Sequence, residues 1–161
     1  MRIRGQAAVL MATLLLVIAL AVGANMALGK TITLFSEVSG QLVDADGLPQ
    51  QGVTVRQSWT ESPGQPEEVV ETVTDPEGRF HFPIVQRRSL AAFLPGTPAI
   101  RQEIVAVRPE GLMTLWMHVR TSHRPGAEMG GGARLELICS IETQRGAGDR
   151  VWATCRLADE P

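Results

Sequence analysis

Hydrophobic positions follow two patterns along the chain. From Ala7 to Ala24 they run almost unbroken. From Thr31 onward they come in short runs rich in Val, Ile, Thr and Phe, cut by Gly, Pro and Asp. The first pattern has no polar face, so it cannot be a surface helix. Arg2 and Arg4 precede it, no acid falls in residues 1–29, and small residues follow. Basic start, apolar middle and small-residue end is the layout of a secretory signal. Ala27 and Gly29 suit cleavage before Lys30, and Val22 with Ala24 offers an earlier site. The run is also close to the ~18–20 residues that span a bilayer. An uncleaved membrane anchor is therefore the competing reading, and a buried core helix the third. Under either of the first two, Arg2 and Arg4 stay cytoplasmic and everything after Lys30 is exported. The protein is then periplasmic, or anchored in the inner membrane facing the periplasm. No cysteine lies near the end of the run, which excludes a lipid-modified lipoprotein.

The second pattern predicts strands. They are Thr31–Val43, Gly52–Trp59, Val69–Thr74, Arg79–Phe82, Ile100–Val107, Leu112–Arg120, Arg134–Thr143 and Val151–Leu157. Eight short strands in one domain, residues 30–161, imply an all-β fold, an antiparallel sandwich or barrel. The turns agree. Asp44-Ala45-Asp46-Gly47 joins the first strand to the second, with Gly47 free to take positive φ. Asp75-Pro76-Glu77-Gly78 has the Pro and Gly positions of a type I turn. Pro63, Gly64 and Pro66 break the chain between the second and third strands. Gly126 to Gly132 is a loop without a phosphate-loop ending. Ser89–Leu94 reads as one helical turn stopped by Pro95. By alternation Phe80 and Phe82 share a face, with His81 on the other, and Val53 shares a face with Val55. In the sixth strand Leu115, Met117 and Val119 alternate with Thr114, Trp116 and His118, and either set suits the core.

The last two strands carry the sharpest expectation. A hairpin turning in Gly146-Ala147-Gly148 pairs residues whose numbers sum to 294. Cys139 then faces Cys155, Leu137 faces Leu157, Ile141 faces Ala153 and Thr143 faces Val151. All apolar partners fall on one face, as register requires. Directly opposed Cα atoms of a non-hydrogen-bonded pair lie ~4.5 Å apart, within disulfide reach. An oxidising compartment favours the bond over two free thiols. Closing a loop of about 15 residues would contribute ~3 kcal/mol. No Cys-x-x-Cys is present to suggest a redox role.

Composition narrows the class. The chain has 15 basic and 17 acidic residues, 44% hydrophobic and 20% charged, so it is neither disordered as a whole nor basic enough to bind nucleic acid. Without Arg2 and Arg4 the balance is 13 basic against 17 acidic. Lys30 is the only lysine.

Two segments resemble a known family. Val38-Ser39-Gly40-Gln41-Leu42-Val43-Asp44, with Gly47-Leu48-Pro49 and Gly52-Val53-Thr54-Val55, looks like the opening of carboxypeptidase-regulatory-like domains. Thr74-Asp75-Pro76-Glu77-Gly78-Arg79-Phe80-His81-Phe82-Pro83 looks like their next motif. The match covers about residues 37 to 85. It implies a transthyretin-like (Ig-like) sandwich of about seven or eight strands, in which Asp44, Gly47, Asp75, Gly78, Phe80 and Phe82 are turn and core residues that specify fold. Arg88-Ser89-Leu90, Phe93-Leu94-Pro95, Pro98, Ile100-Arg101-Gln102 and the cysteine pair are similar to a group of small exported bacterial proteins with no assigned activity.

No catalytic constellation emerges. His81, His118 and His123 are the imidazole bases, and none sits in a nucleophile motif. His118 with His123 lacks a third zinc ligand. Asp44, Asp46 and Asp75 lack calcium-loop spacing and read as turn acids. Glu67, Glu68 and Glu71 read as a solvated edge. Trp59, Trp116 and Trp152 fit core or half-buried strand positions. No cofactor or metal is expected. Trp116, His118, Arg120 and His123 form a candidate partner surface. The resulting expectation is an exported, non-catalytic binding or structural module of the envelope, meeting a protein or an envelope polymer. A periplasmic immunity or inhibitor protein acting on an exported toxin is the alternative, and a hydrolase the minor one.

Overall fold

A computed structural model describes residues 11–20, 29–61, 65–128, 134–141 and 154–158. Residues 11–20 are helical and exposed throughout. Among the described residues no helix is long and apolar enough to cross a membrane. The candidate cleavage residues Val22, Ala24 and Ala27, the 146–148 turn, Trp152 and the pairs of Ala153 and Val151 lie outside the described residues.

Ten strands follow: β1 (Lys30–Phe35), β2 (Glu37–Val43), β3 (Thr54–Thr60), β4 (Glu68–Val73), β5 (Arg79–Phe82), β6 (Val85–Ser89), β7 (Ile100–Arg108), β8 (Gly111–Arg120), β9 (Arg134–Ser140) and β10 (Cys155–Leu157). The expected helical turn is a 3₁₀ turn at Ala91–Phe93. The chain divides into two compact units. One comprises residues 1–32 and 87–96, the other residues 33–86 and 97–161. The second unit is an all-β sandwich of two four-stranded sheets, ordered β10-β9-β2-β5 and β4-β3-β7-β8. β1 and β6 form a two-stranded sheet of their own.

Three readings are corrected. Thr31–Val43 is not one strand, because buried Ser36 interrupts it and starts a new pairing. Val85–Ser89 is a strand that its polar Gln-Arg-Arg sequence concealed. The sandwich is also not wholly antiparallel: β2 and β9 run parallel, with Val38 beside Leu135 and Leu42 beside Cys139. Parallel neighbours need a long connection, and ninety residues separate β2 from β9.

In the first sheet the core face is one alternating set: Val38, Gly40 and Leu42 of β2, Phe80 and Phe82 of β5, and Leu135, Leu137 and Cys139 of β9. His81 lies on the other face, opposite Ser39, as alternation requires. Gly40 stands opposite Phe80, whose ring covers it so closely that an added Cβ would lie 2.1 Å from Cζ. Gly40→Ala must displace a ring held in a packed core. It is expected to cost about 1–3 kcal/mol in a urea titration, and Phe80→Leu in the same chain should restore part of that loss.

The two predicted turns are built alike. Asp44 Oδ1 accepts from the N–H groups of Asp46 (3.0 Å) and Leu48 (2.8 Å). Asp75 Oδ1 accepts from those of Glu77 (3.0 Å) and Arg79 (2.7 Å). Gly47 and Gly78 take the positive φ that each turn needs, +80° and +70°. The turns also meet. Leu42 donates its N–H to the carbonyl of Gly78 (2.8 Å), and its own carbonyl accepts from Gln50 N–H (2.9 Å). These acids therefore serve the backbone. Among the described residues no group of His, Cys, Asp and Glu could hold a metal ion.

At the far edge the register is the one read from the sequence: Cys139 pairs with Cys155, Ile138 with Arg156 and Leu137 with Leu157. The two cysteines form a disulfide, their Cα atoms 3.9 Å apart.

Candidate functional site

In the second sheet, the strand β8 does not keep one alternation. The β7–β8 register shifts between Ile104 and Val105. Ile104 faces Trp116 and Val105 faces Thr114, so Leu115 is the extra residue. A bulge re-aims the side chains that follow it. Both Leu115 and Trp116 are buried in consequence, which is why neither face could be chosen from periodicity.

Beyond the bulge, Trp116, His118 and Arg120 point to the core side. Trp116 packs on Phe35, with ring centroids 5.7 Å apart, and stacks with His118 at 5.6 Å. Trp116 and Arg120 were expected at a partner surface and instead are buried. Only half-buried His118 and His123 of that set keep any exposure. Burial pushes the His118 imidazole below its ordinary value, against the nearby Glu128 carboxylate, with Arg120 adding to the lowering.

Arg120 is held by an acid that sequence reading passed over. Its guanidinium pairs with Glu128, and both side chains are fully buried. Glu128 Oε1 also accepts from Ser36 N–H (2.9 Å) and Gln102 Nε2 (3.1 Å), and Oε2 accepts from Ser36 Oγ (2.6 Å). Ser36 Oγ in turn accepts from Gly126 N–H (2.8 Å). Arg120 also donates to the carbonyls of Ser122 and Arg124, and Gln102 to that of Leu34 (2.7 Å). The cluster joins the β1–β2 break, β7, the end of β8 and the following loop. Burial alone would raise the Glu128 carboxyl, but hydrogen bonds from Ser36 and Gln102 and the charge of Arg120 outweigh it and hold it low. Burial lowers Arg120 too, from so high a starting value that it stays a cation. The one signal in the sequence was isolation: Glu128 is the only acid between Glu110 and Glu136. Chemically the cluster is closed, because the Ser36 hydroxyl and the carboxylate are each engaged with the other inside the core.

A second polar row lies beside it. On β3, the positions Val55, Gln57 and Trp59 face inward and are buried, and Trp59 stands opposite Gln102. Among the described residues neither amide atom of Gln57 has a hydrogen-bond partner, nor does Trp59 Nε1. An unmatched buried amide costs about 1–3 kcal/mol. Gln57→Leu, close in volume, is expected to raise the unfolding midpoint; a lowered midpoint would mean that the amide is matched by a bound group.

The exposed feature of this sheet is its edge. β4 pairs with β3 on one side, and among the described residues no strand pairs with the other. Val69, Val70 and Val73 are 47%, 41% and 58% exposed. Val70 lies opposite Gln57, on the core side, so the core stops short of β4. Glu71 is bridged to Arg56 at 2.8 Å, while Glu67 and Glu68 are exposed.

A family model matches residues 38–144, from β2 through β9. The chain belongs to that family, the domain of unknown function DUF6795. The DUF6795 match takes in Gln102, Arg120, Glu128 and the β4 edge, and leaves Ser36 and Cys155 outside it. No curated protein matches the sequence. Among solved structures the chain is similar to a 9R-lipoxygenase from Cyanothece PCC8801, at 13% identity and a TM-score of 0.31, over 71% of this chain and 18% of that one. The chain thus spans under a fifth of that protein's length, and at that score the likeness carries no argument.

Proposed function

We propose that this DUF6795 chain is an exported, non-catalytic domain of the cell envelope that binds a partner protein by strand addition at β4. The observation that carries the reading is the β4 edge, which no described strand covers and which three exposed valines flank. An unpaired edge offers a row of N–H and C=O groups for another strand, with alternate side chains setting specificity. Glu67 and Glu68 favour a basic segment as occupant. The charged cluster of the core is sealed from substrates and supports a structural role for its residues.

Photo-reactive residues placed at Val69 or Val73 in cells, with Leu48 as control, test this. One discrete cross-linked species from the β4 positions is expected, lost on Val69→Lys/Val73→Lys while stability changes by under ~0.5 kcal/mol, as for exposed sites. Cross-links from Leu48 and none from β4 would overturn it. An exported toxin as the trapped partner would make the domain an inhibitor acting through the same edge.

A further inference from the structure

The near-neutral charge of the chain conceals a separation. The unit formed by residues 1–32 and 87–96 contains no acidic residue; besides Arg2 and Arg4, which the export reading leaves on the cytoplasmic side, its basic residues are Lys30, Arg87 and Arg88. The rest of the chain holds the other ten basic residues and all seventeen acids, a balance of −7. Within the basic unit, β6 ends at Ser89 and the chain passes into Leu90-Ala91-Ala92-Phe93-Leu94. The 3₁₀ turn fixes this loop, with Phe93 N–H on the Leu90 carbonyl at 3.1 Å. Phe93 is 65% and Leu94 71% exposed; Arg87 and Arg88 are exposed a few residues before them, and Lys30 is exposed on β1, the strand paired with β6. The same unit carries the N-terminal apolar segment, whose helical residues 11–20 are exposed along their length.

Large apolar side chains next to arginines, on a unit with charge of one sign, match the two requirements of an interfacial contact. Apolar groups enter the boundary between headgroups and acyl chains by ~5–10 Å, and cations meet anionic lipid. We propose that residues 87–94 form a membrane-docking loop. Phe93 and Leu94 enter the interface of a bilayer rich in anionic phospholipid, and Arg87, Arg88 and Lys30 face its phosphates. A protein occupant would not require an acid-free unit continuous with an apolar N-terminal segment. This contact is separate from the β4 edge, and either can fail without the other.

The test uses the full chain in vesicles of phosphatidylcholine with one quarter phosphatidylglycerol. Leu94→Cys carries a fluorophore, and Leu48→Cys, equally apolar and exposed but in the acidic unit, is the control; the native cysteines are joined and do not label. Quenching by lipid-attached quenchers is expected at position 94 and not at 48. It should be lost in Arg87→Glu/Arg88→Glu and in vesicles of phosphatidylcholine alone. Equal quenching at both positions, or quenching at 94 that ignores both the charge reversal and the lipid change, would overturn the proposal.

Discussion

Replacing Glu128 by alanine is expected to cost about 3–5 kcal/mol of stability. The variant leaves the Arg120 guanidinium buried without its counter-charge, and it strips the acceptor from Ser36 N–H, Ser36 Oγ and Gln102 Nε2. Urea unfolding at neutral pH measures the loss. The cost belongs to the broken pair and not to the lack of an ion pair as such. Burying two charges is itself expensive, so Arg120→Met/Glu128→Leu should recover most of the loss. A double variant as unstable as the single one would show instead that the carboxylate's contacts to Ser36 and Gln102 dominate. Acid acts on the same group. The folded state holds the Glu128 carboxyl below its ordinary range, so the unfolded chain binds a proton first. The stabilisation is therefore complete above about pH 4.3 and is lost as pH falls through the lower folded value. His118, also lowered, adds an earlier decline that begins near pH ~6.5, where the unfolded imidazole takes up its proton. His118→Gln should flatten that upper step, and Glu128→Leu in the double variant should flatten the acid one.

What could be read from the sequence was local. Asp44, Gly47, Asp75 and Gly78 specify their turns through bonds that reach only two to four residues along the chain. Phe80 and Phe82 reveal their face by alternation alone. The terminal hairpin was legible because one sum aligned both cysteines and Leu137 with Leu157. The parts that stayed hidden depend on distant neighbours. Ser36 and Glu128 are 92 residues apart, and a lone Glu in a Gly-rich loop looks like any solvated acid. Arg120 looked solvated for the same reason, since a charge becomes a core residue only once its partner is known. Trp116 was ambiguous because a bulge on the β7–β8 pairing changes which face follows it, and a bulge is a property of two strands. The candidate partner surface failed at Trp116 and Arg120 for these reasons. The β4 edge was described in the sequence only as a solvated acidic stretch, because whether Val69 and Val70 are covered depends on what lies beside them.

Removing the disulfide should have the other large effect. The bond closes a loop of about 15 residues, and its loss is expected to cost ~3 kcal/mol in the chain-entropy account. Its site makes the cost structural as well as entropic. β10 has three residues and pairs only with β9 among the described strands. Cys139 and Cys155 complete the row that starts at Leu42. Cys139→Ala/Cys155→Ala is therefore expected to unfold at a lower urea concentration, and amide exchange should be fastest at β10, which loses its one covalent tie. Coincident unfolding curves for the oxidised and reduced protein would show that the pairing with β9 is enough by itself. Among the described residues the Glu128 cluster and the disulfide share no side-chain partner, and the cluster meets the sheet of β9 and β10 only at Ser36, at the opposite end of β2 from Leu42, the neighbour of Cys139. Their costs should then add to within ~0.5 kcal/mol. The combined variant would lose about 6–8 kcal/mol, as much as the whole stability of a domain in the lower half of the typical 5–15 kcal/mol range, and should accumulate far less folded protein than either single change.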